Sequence, residues 1–358
     1  MRYDHSFLIG ERKIRIGSPT YFIADIAANH DGSLDRAKEL IRLAKDAGAD
    51  CAKFQHFLAD HIISDVGFSQ GVGRVSHQAK WKKSVGEVYD QYHTRRDWTD
   101  TLVETCREVD IDFMTTPYDV EAVRIFSSIV PAFKIGSGDI TFHSLLLEVA
   151  KQGKPVLLAT GAATMAEVEA AVDVILQINS ALCPMQCNTN YTGSLENFKY
   201  VNLRVLQAFA ARWPGMPLGF SDHTPGHSAV LGAVALGACV VEKHFTDDNG
   251  RVGPDHSFAL NPITWRAMVD ATRELEYSLG DGSKRVEINE EETVVIQRRA
   301  LRMVAPIAAG TKITVEHLEA LRPCPKGAVP PSQLENVIGR RLKSDKERGK
   351  ELMWTDLD

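Results

Sequence analysis

Between residues 21 and 280 the chain alternates short apolar runs with longer stretches of helical period. The apolar runs predict strands at 21–27, 51–55, 112–116, 132–135, 155–159, 182–188, 218–220 and 239–244. Apolar positions recurring every three to four residues predict helices at 34–47, 99–109, 120–128, 144–152, 166–178, 201–211 and 228–236, with one more at 262–278. Gly48 and Gly237 stand where a helix turns back into a strand, and Asp31-Gly-Ser33 and Thr164-x-x-Glu167 are helix-start signals. The strands are apolar throughout rather than alternating, as in a parallel sheet covered on both faces. Eight strand–helix units in about 260 residues predict an α/β fold, a (β/α)8 TIM barrel. A doubly wound open sheet is the structural rival. The barrel is preferred because polar residues gather at the C-terminal end of strand after strand, not at one crevice.

The pattern breaks at Gly280-Asp-Gly-Ser-Lys-Arg285, and a charged stretch follows. From Arg298 the chain reads as short strands joined by turns, with a Pro-rich segment at 322–331. The expected organisation is a barrel over 1–280, a linker over 281–297 and a small β-rich domain over 298–358. A domain of roughly 60 residues has marginal stability by itself and is expected to lean on another surface. Within the barrel, residues 59–96 form a long insertion containing the basic, Trp-bearing run Val75-Ser-His-Gln-Ala-Lys-Trp-Lys-Lys83. It reads either as a solvated charged face or as a lid over an anionic substrate.

The net charge of −6 excludes a general nucleic-acid binder, which would carry a basic surplus. No run approaches the roughly 20 apolar residues of a membrane span, and residues 1–18 lack the apolar core of a signal peptide. The six scattered cysteines carry no CxxC motif and read as reduced thiols of a cytoplasmic protein.

An anionic ligand must then be held by a local cluster. Lys53, in Cys-Ala-Lys-Phe-Gln-His56, and Lys134, in Phe-Lys-Ile-Gly-Ser-Gly-Asp139, lie inside apolar strands. Burying a lysine is costly without an anion beside it, so each reads as a structural ion pair or as a phosphate or carboxylate ligand. Gly136, Ser137 and Gly138 favour the phosphate reading for Lys134. Ser221, Asp222 and His223 fall at the end of the seventh strand and His244 at the end of the eighth. Two imidazoles on adjacent strand ends are a candidate ligand pair for a divalent ion, and a wet, oxygen-completed shell suits Mn2+, Mg2+ or Co2+. Asp25 and Asn29 to Asp31, then Thr189, Asn190 and Tyr191, then Gly253-Pro-Asp-His-Ser257 add polar groups to the same rim.

These residues resemble the sialic acid synthase (NeuB) family over nearly the whole chain. The resemblance rests on an ordered set: Phe22-Ile-Ala-Asp-Ile-Ala-Ala-Asn-His-Asp-Gly-Ser33, Lys53-Phe-Gln55, Lys134-Ile-Gly-Ser-Gly138, Ser221-Asp-His-Thr224, Glu242-Lys-His-Phe-Thr246 and Gly253-Pro-Asp-His256. The tail from Arg298, including Arg322-Pro323, resembles that family's C-terminal SAF (antifreeze-like) domain. The resemblance implies a TIM barrel followed by a β-clip-like SAF domain, and a domain-swapped homodimer. It implies condensation of phosphoenolpyruvate with an open-chain amino sugar to a sialic-acid-type nonulosonic acid, for polysaccharide biosynthesis. Lys53, Lys134, Ser137 and Ser221 would bind the phosphate. His223 and His244 would hold Mn2+ or a similar ion, which would polarise the sugar aldehyde. Asp25 would orient or deprotonate water. Gln55, Asp139, Tyr191 and Asp255 would position the sugar, and Arg322 of the other subunit would hold its N-acyl group.

The chain departs from the family pattern in four places. Asp25 and Asp139 stand where Glu is common, Ala159-Thr-Gly-Ala162 replaces Ser-Thr-Gly-Met, and Gln186-Cys-Asn-Thr-Asn-Tyr191 replaces His-Cys-Thr-x-x-Tyr. Thr160 or the Gly161 N–H is then expected to supply the missing phosphate donor, and Thr189 or Asn190 the next. The resemblance implies that the sugar is N-acetylmannosamine or a diacetamido-dideoxyhexose. An aldose-phosphate condensation, or a non-catalytic carbohydrate-binding module, is the alternative.

Overall fold

The structure is a computed structural model that describes residues 2–70, 78 and 81–358. The chain divides into two compact units, Met1–Gly280 and Asp281–Asp358.

The first unit opens with a hairpin, β1 (Phe7–Ile9) and β2 (Arg12–Ile14). Eight parallel strands follow: β3 (Tyr21–Asp25), β4 (Cys51–His56), β5 (Asp112–Pro117), β6 (Phe133–Ile135), β7 (Val156–Ala159), β8 (Leu182–Cys187), β9 (Leu218–Asp222) and β10 (Ala238–His244). They close into a barrel in chain order, with β10 pairing back onto β3. The barrel expectation therefore holds, and the open-sheet rival fails on that closing pair. The helices are α1 (Leu34–Asp46), α2 (Ala59–Ile62), α3 (Asp65–Ser69), α4 (Val85–Tyr92), α5 (Thr99–Glu108), α6 (Val120–Phe126), α7 (His143–Ala150), α8 (Met165–Leu176), α9 (Val205–Arg212), α10 (Ser228–Ala235) and α11 (Pro262–Leu279). Serine and threonine caps fix several starts; Thr164 and Glu167 form the expected capping box on α8.

Alternation along each strand sorts its side chains into two cores. Phe22, Ala24, Ala52, Phe54, Phe220 and Val241 face outward and pack under the helices. Tyr21, Ile23, Cys51, Met114, Leu157, Cys183 and Met185 fill the interior, where Ile9 and Ile14 of the hairpin join them. The hairpin plugs the N-terminal end of the barrel, so substrate access lies at the other end. Sequence patterning missed it because each strand is only three residues long.

Two expectations need correction. The first barrel strand stops at Asp25 rather than residue 27, since Ala27 turns to a positive φ of 43°. The helix expected at 201–211 starts at Val205, after a 3-10 segment at Leu195–Tyr200. The described residues of the 59–96 insertion carry α2, α3 and α4. Most of its basic run, residues 75–77 and 79–80, lies outside the described residues.

In the second unit α12 (Glu291–Gln297) precedes β11 (Ala300–Met303) and β12 (Leu318–Leu321), which pair antiparallel. Leu301, Met303, Ile313, Val329, Val337, Leu342, Leu352 and Leu357 form its separate core. Isolated bridges such as Leu342 to Leu357 take the place of longer strands.

Among the described residues, no helix is long and apolar enough to cross a membrane. All six cysteines are free thiols.

Candidate active site

The C-terminal mouth of the barrel holds a buried charge cluster. Lys53 lies on β4 with its Nζ 2.7 Å from Asp25 Oδ2 and 3.7 Å from Glu242 Oε2. Lys134 on β6 reaches Glu242 Oε1 at 2.7 Å, and Ser221 on β9 donates to that oxygen at 3.0 Å. Lys53 also donates to Thr116 Oγ1 at 3.2 Å. The side chains of both lysines and both carboxylates are at most 5% exposed. Burial alone would raise the carboxyls, but the Lys53 ammonium outweighs it and holds Asp25 down at about 2. Burial likewise opposes the charge on Glu242, and Lys134 and Lys53 overcome it to keep that carboxyl low. Asp25 is therefore an ion-paired carboxylate held in its charged form by Lys53.

Glu242 went unassigned in the sequence reading, although it sits two residues before His244 and so faces the same way. Its neighbour Lys243 faces out and is occupied by Asp222 Oδ2 at 2.5 Å and the Thr224 carbonyl at 2.6 Å. Asp222 is accordingly a structural partner.

Beside the lysines lies a second group of donors. Gly161 N donates to Ser137 Oγ at 2.9 Å. A Cβ at Gly161 would overlap Thr189 Oγ1 and come within 2.9 Å of Ser137 Oγ and 3.1 Å of Cys187 Sγ. Thr189 Oγ1 is buried without a hydrogen-bond partner. Asn190 instead turns away, accepting from Thr192 N and Oγ1 at 3.2 and 2.8 Å. Thr160 Oγ1 donates to the Met185 carbonyl at 2.9 Å, so its one proton is used. Of the open alternatives, only the Thr189 hydroxyl is left without a partner; the Gly161 N–H is taken by Ser137, the Thr160 hydroxyl by Met185, and Asn190 is held by Thr192. Gly138 is exposed, and a side chain there would meet nothing within 4 Å.

His223 and His244 meet as expected, with ring centroids 5.4 Å apart. His223 Nδ1 donates to the Asn188 carbonyl at 3.0 Å, which leaves Nε2 with its lone pair. Burial opposes a charge on His223, but the Cys187 thiol 3.8 Å away more than offsets it, and the imidazole is raised. Burial keeps His244 neutral; its Nδ1 is buried without a hydrogen-bond partner and lies 3.6 Å from Asp255 Oδ2. Among the described residues, no three His, Cys, Asp or Glu side chains are arranged to hold a metal ion. The pair fits an ion as two imidazole donors only.

A cavity of about 170 Å³ opens from this point, lined by Gln55, Tyr191, His244 and Asp255 on the cluster side. Gln55 Nε2 donates to Asp25 Oδ2 at 3.0 Å, linking cavity and cluster. Asp255 accepts from Ala28 N at 3.3 Å, and an Asp31–His256–Thr246 chain, at 2.9 and 2.7 Å, ties its loop to the first turn. Asp139 is half-buried beyond the cavity lining, and burial pushes its carboxyl up to about 6. Arg322 is exposed in the second unit.

A profile of the NeuB family matches residues 40–284. The chain belongs to the NeuB family. The SAF domain profile matches residues 298–358. N,N'-diacetyllegionaminic acid synthase of Legionella pneumophila is 32% identical over 94% of each chain. Human N-acetylneuraminate-9-phosphate synthase is 32% identical over 90% of this chain and 89% of its own. The N-acetylneuraminic acid synthetase structure from Leptospira borgpetersenii, in complex with citrate, superposes with a TM-score of 0.70 at 27% identity, covering 82% of this chain and 96% of that one. The resemblance carried by the motifs is borne out, and so is the barrel with a C-terminal SAF domain. These NeuB relatives are nonulosonic acid synthases, and this chain is an enzyme of the same type.

Proposed function

We propose that this NeuB enzyme condenses phosphoenolpyruvate with the open-chain form of an N-acylated hexosamine. The observation that carries the proposal is the pair of buried lysines, Lys53 and Lys134, bridged by Glu242 beside a donor cradle and next to a cavity lined by Gln55, Tyr191, His244 and Asp255. Glu242 stands where a substrate anion would satisfy both ammonium groups. The phosphate is bound by Lys134, Ser137, Ser221 and Thr189, with the Gly161 N–H holding the Ser137 hydroxyl, and Lys53 adds the second positive charge. Gln55, Tyr191 and Asp255 hold the sugar with its C1 carbonyl over C3 of phosphoenolpyruvate, and Asp139 stands at the outer rim. The C3–C1 bond forms, water adds at C2 where Asp25 orients it, and the C2–O bond to phosphate breaks. One water is consumed and one phosphate released.

His223 and His244 would hold Mn2+, or Mg2+ or Co2+, with water and substrate oxygens completing the shell. When bound, the ion supplies Lewis-acid polarisation of the aldehyde. The lone pair left on His223 Nε2 and the unpartnered His244 Nδ1 support this set. The reading extends to a domain-swapped homodimer in which the Arg322 side chain of one copy contacts the N-acyl group bound by the other.

The test is phosphate release from phosphoenolpyruvate with Mn2+ and a panel of N-acetylmannosamine, diacetamido-dideoxyhexoses and arabinose 5-phosphate. Release with an amino sugar is expected. Release with arabinose 5-phosphate alone would move the enzyme to the aldose-phosphate class, and no release with any sugar would end the condensation reading.

A further inference from the structure

The barrel closes where β10 pairs with β3, and the segments leaving those two strands are fastened together at one buried side chain. His256 is 0% exposed. Its Nε2 lies 2.9 Å from Asp31 Oδ1 and donates to it, since a carboxylate only accepts. Thr246 Oγ1 lies 2.7 Å from Nδ1. One nitrogen thus ties the ring into its own loop after β10, and the other ties it to the turn after β3. Asn249 Nδ2 donates to the His256 carbonyl at 2.8 Å and to the Ala259 carbonyl at 2.7 Å, which fixes the backbone that carries the ring. A Cβ at Gly253 would come within 2.6 Å of His256 Cδ2, so the loop packs onto the imidazole only with glycine at that position.

The turn after β3 needs such a fastening. Ala27 and Asp31 hold positive φ angles of 43° and 53°, conformations that persist in non-glycine residues only where the surroundings fix them. Asn29 Nδ2 donates to the Phe245 carbonyl at 2.9 Å, a second bond between the same two segments. What they present to the cavity is Asp255, the residue before His256. Ala27, Ala28, Pro254 and Asp255 all line it, and Asp255 Oδ2 lies 3.6 Å from His244 Nδ1. The bond from Ala28 N to Asp255 Oδ2 is 3.3 Å, long for an N–H donor, so the aim of the carboxylate depends on the two backbones beside it.

We infer that His256 is a positioning residue: through Asp31 it locks the two segments in one register and so aims the Asp255 carboxylate at the bound sugar. The inference rests on the condensation reading above and adds to it a residue that touches neither substrate. A histidine serving only the fold would, when replaced, disturb both substrates alike.

The experiment uses the full chain, phosphoenolpyruvate, Mn2+ and whichever amino sugar of the panel turns over. His256→Gln places an amide donor where Nε2 stands, whereas His256→Asn reaches only the Nδ1 position and cannot bond Asp31. The asparagine variant should lose roughly tenfold to a hundredfold in kcat/KM for the sugar, the scale of a displacement near 1 Å, and the glutamine variant should recover most of that loss. KM for phosphoenolpyruvate should stay unchanged in both, because Lys134 and Ser221 stand on other strands. Equal losses in the two variants, or equal rises in KM for both substrates, overturn the inference. Heat stabilisation by phosphoenolpyruvate reports whether each variant is folded. Asp31→Gly deletes the acceptor at a position whose positive φ suits glycine. It should show the same sugar-specific loss, and wild-type kinetics there overturn the inference even where His256→Asn does not fold. In an Asp255→Asn background His256→Asn should cost little further; an undiminished cost detaches His256 from Asp255 and also overturns it. Failure of the wild type with every sugar sinks the condensation reading too, and the panel reveals that case before any variant is made.

Discussion

Glu242→Gln separates the two things Glu242 is held to do. In the resting protein its carboxylate pairs with Lys134 at 2.7 Å and stands 3.7 Å from Lys53. The amide is isosteric and still accepts from Ser221, but it carries no charge. Lys53 keeps Asp25 at 2.7 Å, whereas Lys134 loses its anion inside a site only 4–5% exposed. Breaking one side of a buried pair costs about 3–5 kcal/mol, and the retained shape and hydrogen bond put this case near ~3 kcal/mol. At roughly 2–4 °C per kcal/mol for a domain of this size, the barrel should melt about 6–12 °C lower.

Inorganic phosphate should then rescue the variant. An anion seated between the lysines restores the missing charge, so phosphate binds the variant more tightly than the wild type, where it must displace Glu242. At a hundredfold excess over Kd a ligand adds about 2.7 kcal/mol, enough to recover most of the loss. Differential scanning calorimetry of both proteins, with and without phosphate, reads all four values. An equal melting deficit in the presence and absence of phosphate would show that no anion binds between Lys53 and Lys134, and the substrate site would have to be sought elsewhere.

Other predictions follow from single contacts. Gly161→Ala places a methyl against Thr189, Ser137 and Cys187, so KM for phosphoenolpyruvate should rise at least tenfold while KM for the sugar changes little; equal rises would point to general distortion of the mouth. Asp139 titrates near 6 because burial opposes its charge, so sugar kcat/KM should climb with pH through about 6, and Asp139→Asn should remove that limb. The sign for stability is opposite: ionising Asp139 opposes folding, a cost absent well below its ordinary pKa of 3.8 and complete above about 6, so the variant should gain melting temperature at pH 8 and none at pH 3. His244→Ala should abolish the rate difference between Mn2+-loaded and chelator-treated enzyme, and a persisting difference would locate the ion on other residues. Arg322→Ala should raise KM for the sugar more than for phosphoenolpyruvate, and equal rises would discard the swapped-arginine contact.

The barrel was legible because its strands are apolar on both faces, and that same property hid which face points inward. Hydropathy cannot separate Ala52 from Lys53's side of β4 when both are buried, but a charge can, since only the interior mouth tolerates one. Lys53 and Gln55, Ser221 and His223, and Asp25 each mark the inward register of a strand. Extended from His244, the same two-residue step reaches Glu242, the residue the motif-by-motif reading passed over. From Met185 it reaches Cys187, which was taken for an inert thiol and lies against His223. What parity cannot reach is anything held by a turn. Thr189 and Asn190 are equivalent in the sequence, and the choice between them is made by Thr192, whose backbone and hydroxyl capture Asn190. The far wall of the cavity was hidden for another reason. α2 and α3 are four and five residues long, too short to show a helical period, and α4 spans barely two turns. Its aromatic residues therefore read as scattered members of a charged loop, although Tyr89 and Tyr92 both line the cavity. The charged groups of the barrel mouth thus lie on the strands, where residue parity exposes them, while the part of the cavity lining that follows β4 sits on short helices that only three-dimensional packing assembles.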